Sequence, residues 1–209
     1  MLEELNRVGL VQIYNNEASS YDTKYQDEIH ATEDSIILDF IEPRRFGGAR
    51  ILDAGCGTGN FIKMAEIHPD DYFGIDISQG MLDVAQREHP DYSFAKKDIR
   101  DVSFAPFDMV IAIFGQLNYL GLETFVSKLP SRMRFVAVVY TGKSHQDYDY
   151  TKKFQTAYSA TDIYKAFEGR EITVHGLSFD CAADYQTQSE MTESGSCFNC
   201  KYLVVASND

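Results

Sequence analysis

Apolar positions along this chain follow two patterns, short continuous runs and helical spacing. The continuous runs predict strands near 50–54, 72–76, 91–95, 107–113 and 133–140. Residues that recur three or four positions apart predict helices near 60–68, 79–88, 120–128 and 161–168. Alternation at this spacing indicates an α/β fold with a parallel sheet wrapped by helices.

The two ends of the chain depart from this alternation. Segments 2–14 and 24–41 carry apolar residues at helical spacing and predict two helices before the first strand. Segments 171–179 and 198–206 predict two strands separated only by a loop, so we expect them to pair antiparallel.

A glycine-rich turn follows the first predicted strand. Asp53 closes the strand, and Gly55, Gly57 and Gly59 follow at G-x-G-x-G spacing before a predicted helix. Glycines there permit unusual backbone angles and leave no Cβ in the way of a ligand, so a nucleoside ligand fits. A dinucleotide fingerprint has G-x-G-x-x-G spacing instead. An acidic residue two positions before the first glycine suits a positively charged ligand better than a pyrophosphate.

Asp53 to Gly59 resembles the first motif of the class I S-adenosylmethionine-dependent methyltransferases, (D/E)-x-G-x-G-x-G, without a gap. The resemblance implies a Rossmann-like seven-stranded sheet, mostly parallel with an antiparallel last strand, and helices on both faces. It also implies S-adenosylmethionine as the cofactor. It covers residues 14–140 well and the remainder weakly.

Further motifs of that family follow in order. Asp76 ends the second predicted strand, where the family holds both ribose hydroxyls with an acidic residue. Asp98 and Ile99 follow the third, where the family recognises adenine. Phe114 begins the loop after the fourth strand, which in the family lines the methyl-transfer pocket. The cofactor-binding residues implied by the resemblance are Tyr14, Tyr21, Asp53, Ala54, Gly55, Gly57, Gly59, Asp76, Ile77, Met81, Asp98, Ile99 and Phe114.

The motifs outside the core favour a small acceptor. Tyr21, Asp22 and Tyr25 match a Tyr-Asp-x-x-Tyr segment that closes over the cofactor in many small-molecule methyltransferases. The run from Phe114 to Leu120 partly resembles the corresponding loop of glycine-type and amino-sugar N-methyltransferases. The Asn/Asp-Pro-Pro-aromatic motif of DNA amine methyltransferases does not follow the fourth strand. We therefore predict methyl transfer to a nitrogen or oxygen of a small molecule.

The candidate catalytic residues are His145 and Tyr21. His145 follows the fifth predicted strand by a few residues, and an imidazole that titrates near neutral pH suits a general base. Tyr21 offers an aromatic face, which attracts a cationic sulfonium. A solvated loop histidine and half-buried surface tyrosines are the plainer alternatives.

The amino-acid composition limits the ligands and the cellular compartment that we expect for this protein. A net charge of −13 argues against nucleic acid as substrate, because nucleic-acid binding draws on positive charge. No apolar run approaches the roughly 20 residues of a membrane helix. The acidic, amphipathic start of the chain lacks the pattern of a secretory signal, so we expect a cytoplasmic protein. Cys197 and Cys200 form a single C-x-x-C without the further ligands of a zinc site, so no metal is expected.

We expect one methyltransferase domain over residues 1–209. It divides into a helical cap (1–45), a cofactor-binding core (46–140), a substrate lid (141–160) and a C-terminal helix with a strand pair (161–209). An RNA or protein methyltransferase, a non-catalytic S-adenosylmethionine-binding module and an NAD-dependent oxidoreductase stay open as alternatives. A homodimer stays open as well.

Overall fold

The strands form one mixed sheet. The structure is a computed structural model that describes residues 2–26, 28–42, 47–113, 116–140, 156–179, 185–188 and 199–206. Within these residues the strands are β1 (Ile51–Ala54), β2 (Tyr72–Asp76), β3 (Ser93–Lys96), β4 (Met109–Ala112), β5 (Arg134–Tyr140), β6 (Ile172–Phe179), β7 (Tyr185–Gln188) and β8 (Asn199–Ala206). Their order in the sheet is β3-β2-β1-β4-β5-β8-β6-β7.

The direction of the strands confirms the predicted sheet and adds one strand. β1 to β5 are parallel, and β8 lies between β5 and β6 and pairs antiparallel with both. The expectation that only a loop separates the last two strands is wrong. β7 forms there and pairs antiparallel with β6 at the edge of the sheet.

Helices connect and precede the strands. They are α1 (Leu2–Glu17), α2 (Glu28–Ile41), α3 (Asn60–Ala65), α4 (Gln79–Glu88), α5 (Gln116–Leu120), α6 (Leu122–Lys128) and α7 (Ala160–Ala166). α4 has the predicted bounds because the Ser78 side chain accepts a hydrogen bond from the Met81 amide and caps its first turn. α2 begins later than predicted, because Asp22–Tyr25 forms a separate 3₁₀ turn.

The two faces of the sheet carry separate apolar cores, which confirms helices on both faces. Alternate residues of a strand point to opposite faces. Leu52 and Val110 therefore pack with α6 and α7, whereas Ile51 and Ile111 pack with α2 and α3. The two cores do not cover the carboxyl ends of the central parallel strands. These ends lie side by side at one end of the strands.

Among the described helices, none is long and apolar enough to cross a bilayer. The described side chains also contain no group of three or more His, Cys, Asp or Glu residues arranged to hold a metal ion.

Candidate active site

A cleft of about 330 Å³ opens at the carboxyl ends of the parallel strands. This is where open α/β sheets bind their ligands. The predicted site residues that line it are Tyr14, Tyr21, Asp53, Gly55, Gly57, Asp76, Ile77, Met81, Asp98 and Ile99. Residues distant in sequence therefore meet in one cavity.

The glycine turn between β1 and α3 forms the floor of this cleft. The amides of Gly55 and Cys56 both donate to the Ile75 carbonyl, at 2.8 and 3.0 Å, which ties the turn to β2. Gly55 and Gly57 have φ values of 87° and 55°, in the left-handed region that favours glycine. A Cβ at Gly57 would meet nothing within 4 Å, so this backbone lies open to a ligand.

Asp76 joins the glycine turn to the start of α4. Its Oδ2 accepts from the Gly57 amide at 3.1 Å, and its Oδ1 accepts from the Ser78 amide at 2.8 Å. Burial raises the pKa of Asp76, and these backbone amides oppose that shift. Each carboxylate oxygen keeps lone-pair capacity for a further donor.

Asp98 lies two strands away from Asp53, beyond β3, and is surrounded by cations. Arg100 donates from Nε and Nη2 to the two carboxylate oxygens at 3.0 and 2.8 Å, and Arg7 donates from α1 at 3.1 Å. Partial burial acts to raise the pKa of Asp98, but these hydrogen bonds outweigh it and lower the value to about 2. Asp98 is therefore ionised at neutral pH.

The Asp53 side chain is nearly inaccessible to solvent, and its hydrogen-bond partner is an uncharged side chain. The Tyr72 hydroxyl donates to its Oδ2 at 2.7 Å. Burial raises the pKa of Asp53 to about 7, the hydrogen bond from Tyr72 opposes this, and the charge of Asp76 adds to it. Near neutral pH this carboxyl is partly protonated.

The N-terminal segment is attached to each of the cofactor motifs. Arg7 contacts Asp98, and Asn15 Oδ1 accepts from the Ser78 hydroxyl and the Gly80 amide, both at 2.8 Å. The Thr58 hydroxyl of the glycine turn donates to Asp22. α1 and the turn that follows it thus cover the cleft.

An aromatic cluster lines the covered side of the cleft. The Tyr14 ring contacts Tyr21 and Tyr119 edge-on, at 6.1 and 6.4 Å between centroids. Tyr25 lies 5.0 Å from Tyr21 and 5.1 Å from His30. Burial raises the pKa of the Tyr14 hydroxyl, and its hydrogen bond with the Tyr119 hydroxyl at 2.9 Å contributes. The Tyr14 hydroxyl is therefore a neutral hydrogen-bonding group at physiological pH.

Asn118 of α5 holds two backbone segments beside the cleft. Its amide nitrogen donates to the carbonyls of Tyr140 and Thr156, at 2.8 and 2.6 Å. Its oxygen accepts from the Tyr140 amide at 2.8 Å. Asn118 departs from the sequence pattern of the amino-sugar methyltransferases. The three hydrogen bonds to the backbone provide a structural reason for an asparagine at this position.

Two of the predicted site residues that the structure describes, Ala54 and Gly59, do not line the cleft. Ala54 is buried in the same core cluster as Phe125 of α6, and Gly59 precedes α3, where an added Cβ would lie 2.9 Å from the His89 ring. Phe114 and His145 lie outside the described residues. The predicted lid over 141–160 is described only from residue 156 onward.

Gln116 and Tyr119, from the predicted loop between Phe114 and Leu120, also line the cleft. Sequence reasoning missed three further lining residues, Arg7, His30 and Asp34. His30 and Asp34 lie four residues apart in α2, on one helical face. The sequence signal for His30 and Asp34 is this four-residue spacing, which follows directly after the Tyr-Asp-x-x-Tyr segment.

The central part of the chain matches a known family. Residues 51–136 match a family model described as a methyltransferase domain. Together with the glycine turn, Asp76 and the reversed β8, this match makes the central part of the chain similar to the class I S-adenosylmethionine-dependent methyltransferases. S-adenosylmethionine is the cofactor.

Curated relatives share this central part. A demethylmenaquinone methyltransferase from Bacteroides fragilis is 31% identical over 102 residues, which are 44% of this chain and 41% of that protein. A dTDP-3-amino-3,4,6-trideoxy-alpha-D-glucopyranose N,N-dimethyltransferase from Streptomyces venezuelae is 30% identical over 106 residues, 49% of this chain and 45% of that protein. The chain thus spans less than half the length of these relatives.

Solved structures share the fold over most of the chain. A methyltransferase from Archaeoglobus fulgidus has a TM-score of 0.62 at 14% identity and covers 89% of this chain and 97% of its own. Magnesium protoporphyrin IX methyltransferase from Synechocystis, with bound S-adenosylmethionine, has a TM-score of 0.57 at 16% identity. It covers 94% of this chain and 97% of its own.

Proposed function

We propose that this protein transfers a methyl group from S-adenosylmethionine to a nitrogen or oxygen of a small molecule. The observation that carries the proposal is that Asp53, Asp76 and Asp98 line one cleft together with the open glycine turn. These are the acidic positions of three family motifs, and they meet at the carboxyl ends of adjacent strands.

The chain's residues fit the cofactor part by part. Asp76 has the remaining lone pairs to accept both ribose hydroxyls. Ile77, Met81 and Ile99 supply apolar contacts for adenine, and the Asp98 carboxylate is an acceptor for its amino group. Asp53 lies beside the glycine turn, where a carboxylate suits the positive charge of the methionine part.

The reaction requires alignment more than acid catalysis. The bound cofactor supplies a methyl group on a sulfonium whose leaving group is a neutral thioether. The chain's role is then to hold the acceptor in line, which supplies about 7–11 kcal/mol of the barrier in well-oriented systems. The faces of Tyr14, Tyr21 and Tyr25 attract cations by roughly 0.5–2 kcal/mol each.

The wall of the cleft beyond β4 suits a small polar acceptor. Tyr119 and Gln116 come from α5, directly after the strand where the family places the acceptor. The hydroxyls of Tyr14 and Tyr119 bind a neutral amine or hydroxyl, and His30 is the described imidazole that faces this cavity. The two curated relatives are named for small-molecule acceptors, which supports the same class here.

We keep the cytoplasm as the proposed compartment, since the buried Cys56 thiol is free and fits a reducing environment. Nucleic acid is not a proposed substrate because the chain is strongly acidic. A homodimer stays a prediction.

The proposal is tested first by binding. Calorimetric titration with S-adenosylmethionine should show micromolar affinity, and titration with NAD should show none. Asp76→Ala should weaken binding by about 1.5–3 kcal/mol, roughly 10- to 150-fold, because hydrogen bonds to a charged partner are lost. The control is Asp91→Ala, an exposed carboxylate that does not line the cleft. Equal affinity in Asp76→Ala and the wild type contradicts the ribose role.

Turnover is the second test. Transfer of labelled methyl to a panel of small amines, amino sugars and hydroxyl compounds should give product with at least one class. Tight cofactor binding with no transfer to any small molecule or to RNA and protein would instead indicate a non-catalytic binding module.

A further inference from the structure

Tyr72 and Asp53 form a buried pair behind the glycine turn. The hydroxyl and the carboxylate oxygen are 2.7 Å apart, and the two residues are only 3% and 1% exposed. β1 and β2 are in register with Asp53 beside Gly74, so Tyr72 lies two residues earlier on the neighbouring strand, on the same face. The contact depends on this register. Tyr72 lies outside the glycine motif, so the motif alone does not predict the contact.

The surroundings fix the Tyr72 hydroxyl in this position. A Cβ at Gly74 would lie 2.9 Å from the Cys56 sulfur and 3.0 Å from the Tyr72 oxygen, so only glycine leaves room for both. Tyr92 and Phe94 pack edge-on against the Tyr72 ring, at 5.7 and 5.9 Å between centroids. The hydroxyl therefore stays on Asp53.

The second oxygen of Asp53 is available to a ligand. Asp53 lines the cleft, and among the described residues no donor contacts its Oδ1 and no cation pairs with it. The ionisable groups that face it are Tyr72, the Cys56 thiol and Asp76, and β4 contributes only apolar residues beside it. Burial and the Asp76 charge raise the pKa of Asp53 to about 7, so the free protein retains a proton there below about pH 7.

We propose that Tyr72 is a positioning residue that holds Asp53 for a cationic ligand group, and that Asp53 gives up its proton to solvent when the cleft takes up that group. The carboxyl O–H bond breaks, the proton goes to the buffer, and the ligand's positive charge replaces it beside the carboxylate. This inference rests on the proposed function, because the cationic group is the methionine part of S-adenosylmethionine.

The experiment counts released protons. The full chain is titrated with S-adenosylmethionine at several pH values from about pH 5.5 to about pH 8.5, at each pH in two buffers that titrate near that pH and differ in ionisation enthalpy. The difference in observed heat gives the protons released per ligand bound. We expect release to approach one proton below about pH 7 and to vanish well above it, with affinity rising by up to about tenfold per pH unit in the lower range.

Three variants assign the proton. Asp53→Asn should abolish the release, and subtracting its profile removes the contribution of the ligand's own amine, which titrates near pH 8. Tyr72→Phe keeps the ring but removes a donor that favours the ionised carboxylate, so release should shift to higher pH. Tyr92→Phe is the control, because its hydroxyl donates to the Ile67 carbonyl instead and should leave the profile unchanged.

The outcomes separate this inference from the proposed function. Binding without proton release, or the same profile in Tyr72→Phe and the wild type, overturns the inference and leaves the function intact. If the wild type binds no S-adenosylmethionine at any pH, the proposed function fails first. Thermal unfolding without ligand confirms that each variant is folded before titration.

Discussion

Asp53 and Asp98 line the same cleft two strands apart, and their surroundings differ in kind. On the β1 side, Asp53 is buried beside a neutral hydroxyl, and its pKa is raised to about 7. On the β3 side, Asp98 accepts from Arg7 and Arg100 near the surface, and its pKa is lowered to about 2. Both residues are aspartates of family motifs, so motif identity does not determine charge state.

The difference has a physical origin. Burial disfavours the charged form unless an opposite charge or several donors compensate. Asp53 has one neutral donor, whereas Asp98 has two guanidinium groups and the Arg100 amide. Around neutral pH the cleft therefore changes its net charge on the β1 side and keeps it constant on the β3 side.

The largest predicted effect comes from a substitution that disturbs packing on the β1 side of the cleft. Gly74→Ala should destabilise the fold by about 1–3 kcal/mol, because the new Cβ would lie within 3.0 Å of Phe94, Cys56 and Tyr72. Urea denaturation measures the change. Gly47→Ala is the matched control, since a Cβ there meets nothing within 4 Å, and it should be neutral or slightly stabilising.

The next effect is the pH dependence of stability. Comparison with Asp53→Asn isolates the contribution of Asp53 from that of other titrating groups. Its folded-state pKa is above the unfolded value of 3.8, so its contribution to stability is present below about pH 4 and is lost as pH rises to about 7. Relative to Asp53→Asn, the wild type should lose about 1 kcal/mol of unfolding free energy per pH unit within that window. Denaturation midpoints of both proteins, measured at several pH values, provide the check. Parallel profiles would mean that Asp53 is ionised in the free protein.

The smallest effect concerns the β3 side. Arg7→Met should cost only about 0.2–1 kcal/mol, because the Arg7 side chain is 42% exposed and solvent screens the pair. The loss should shrink in concentrated salt. Arg87→Met removes another exposed arginine, paired with Glu88 outside the cleft, and serves as the comparison. A salt-independent loss from Arg7→Met would instead point to packing of its aliphatic stem.

Local signals accounted for much of the fold. The bounds of β2 and α4 follow from Tyr72 to Asp76 and the Ser78 cap, because an apolar run and a capping residue act within a few positions. β7 escaped prediction because Tyr-Gln-Thr-Gln lacks an apolar alternation, and its pairing with β6 decides its conformation.

The candidate site was predictable where a motif marks it and not where contacts join distant segments. The glycines were accessible from their spacing, and the resemblance to the methyltransferase family marked the acidic positions Asp76 and Asp98. Tyr72 on Asp53, Arg7 on Asp98 and Asn118 between Tyr140 and Thr156 depend on register and helix placement. No local pattern encodes such pairs.

The position of β8 has a consequence for folding. β5 and β6 run in the same direction and do not pair with each other, because β8 lies between them and hydrogen-bonds to both. Until residues 199–206 have been synthesised, both neighbours carry unpaired strand edges, which favour association with other chains. Non-local pairing of this kind also slows folding. A nascent chain therefore completes its sheet late, and during that interval its need for chaperones is greatest.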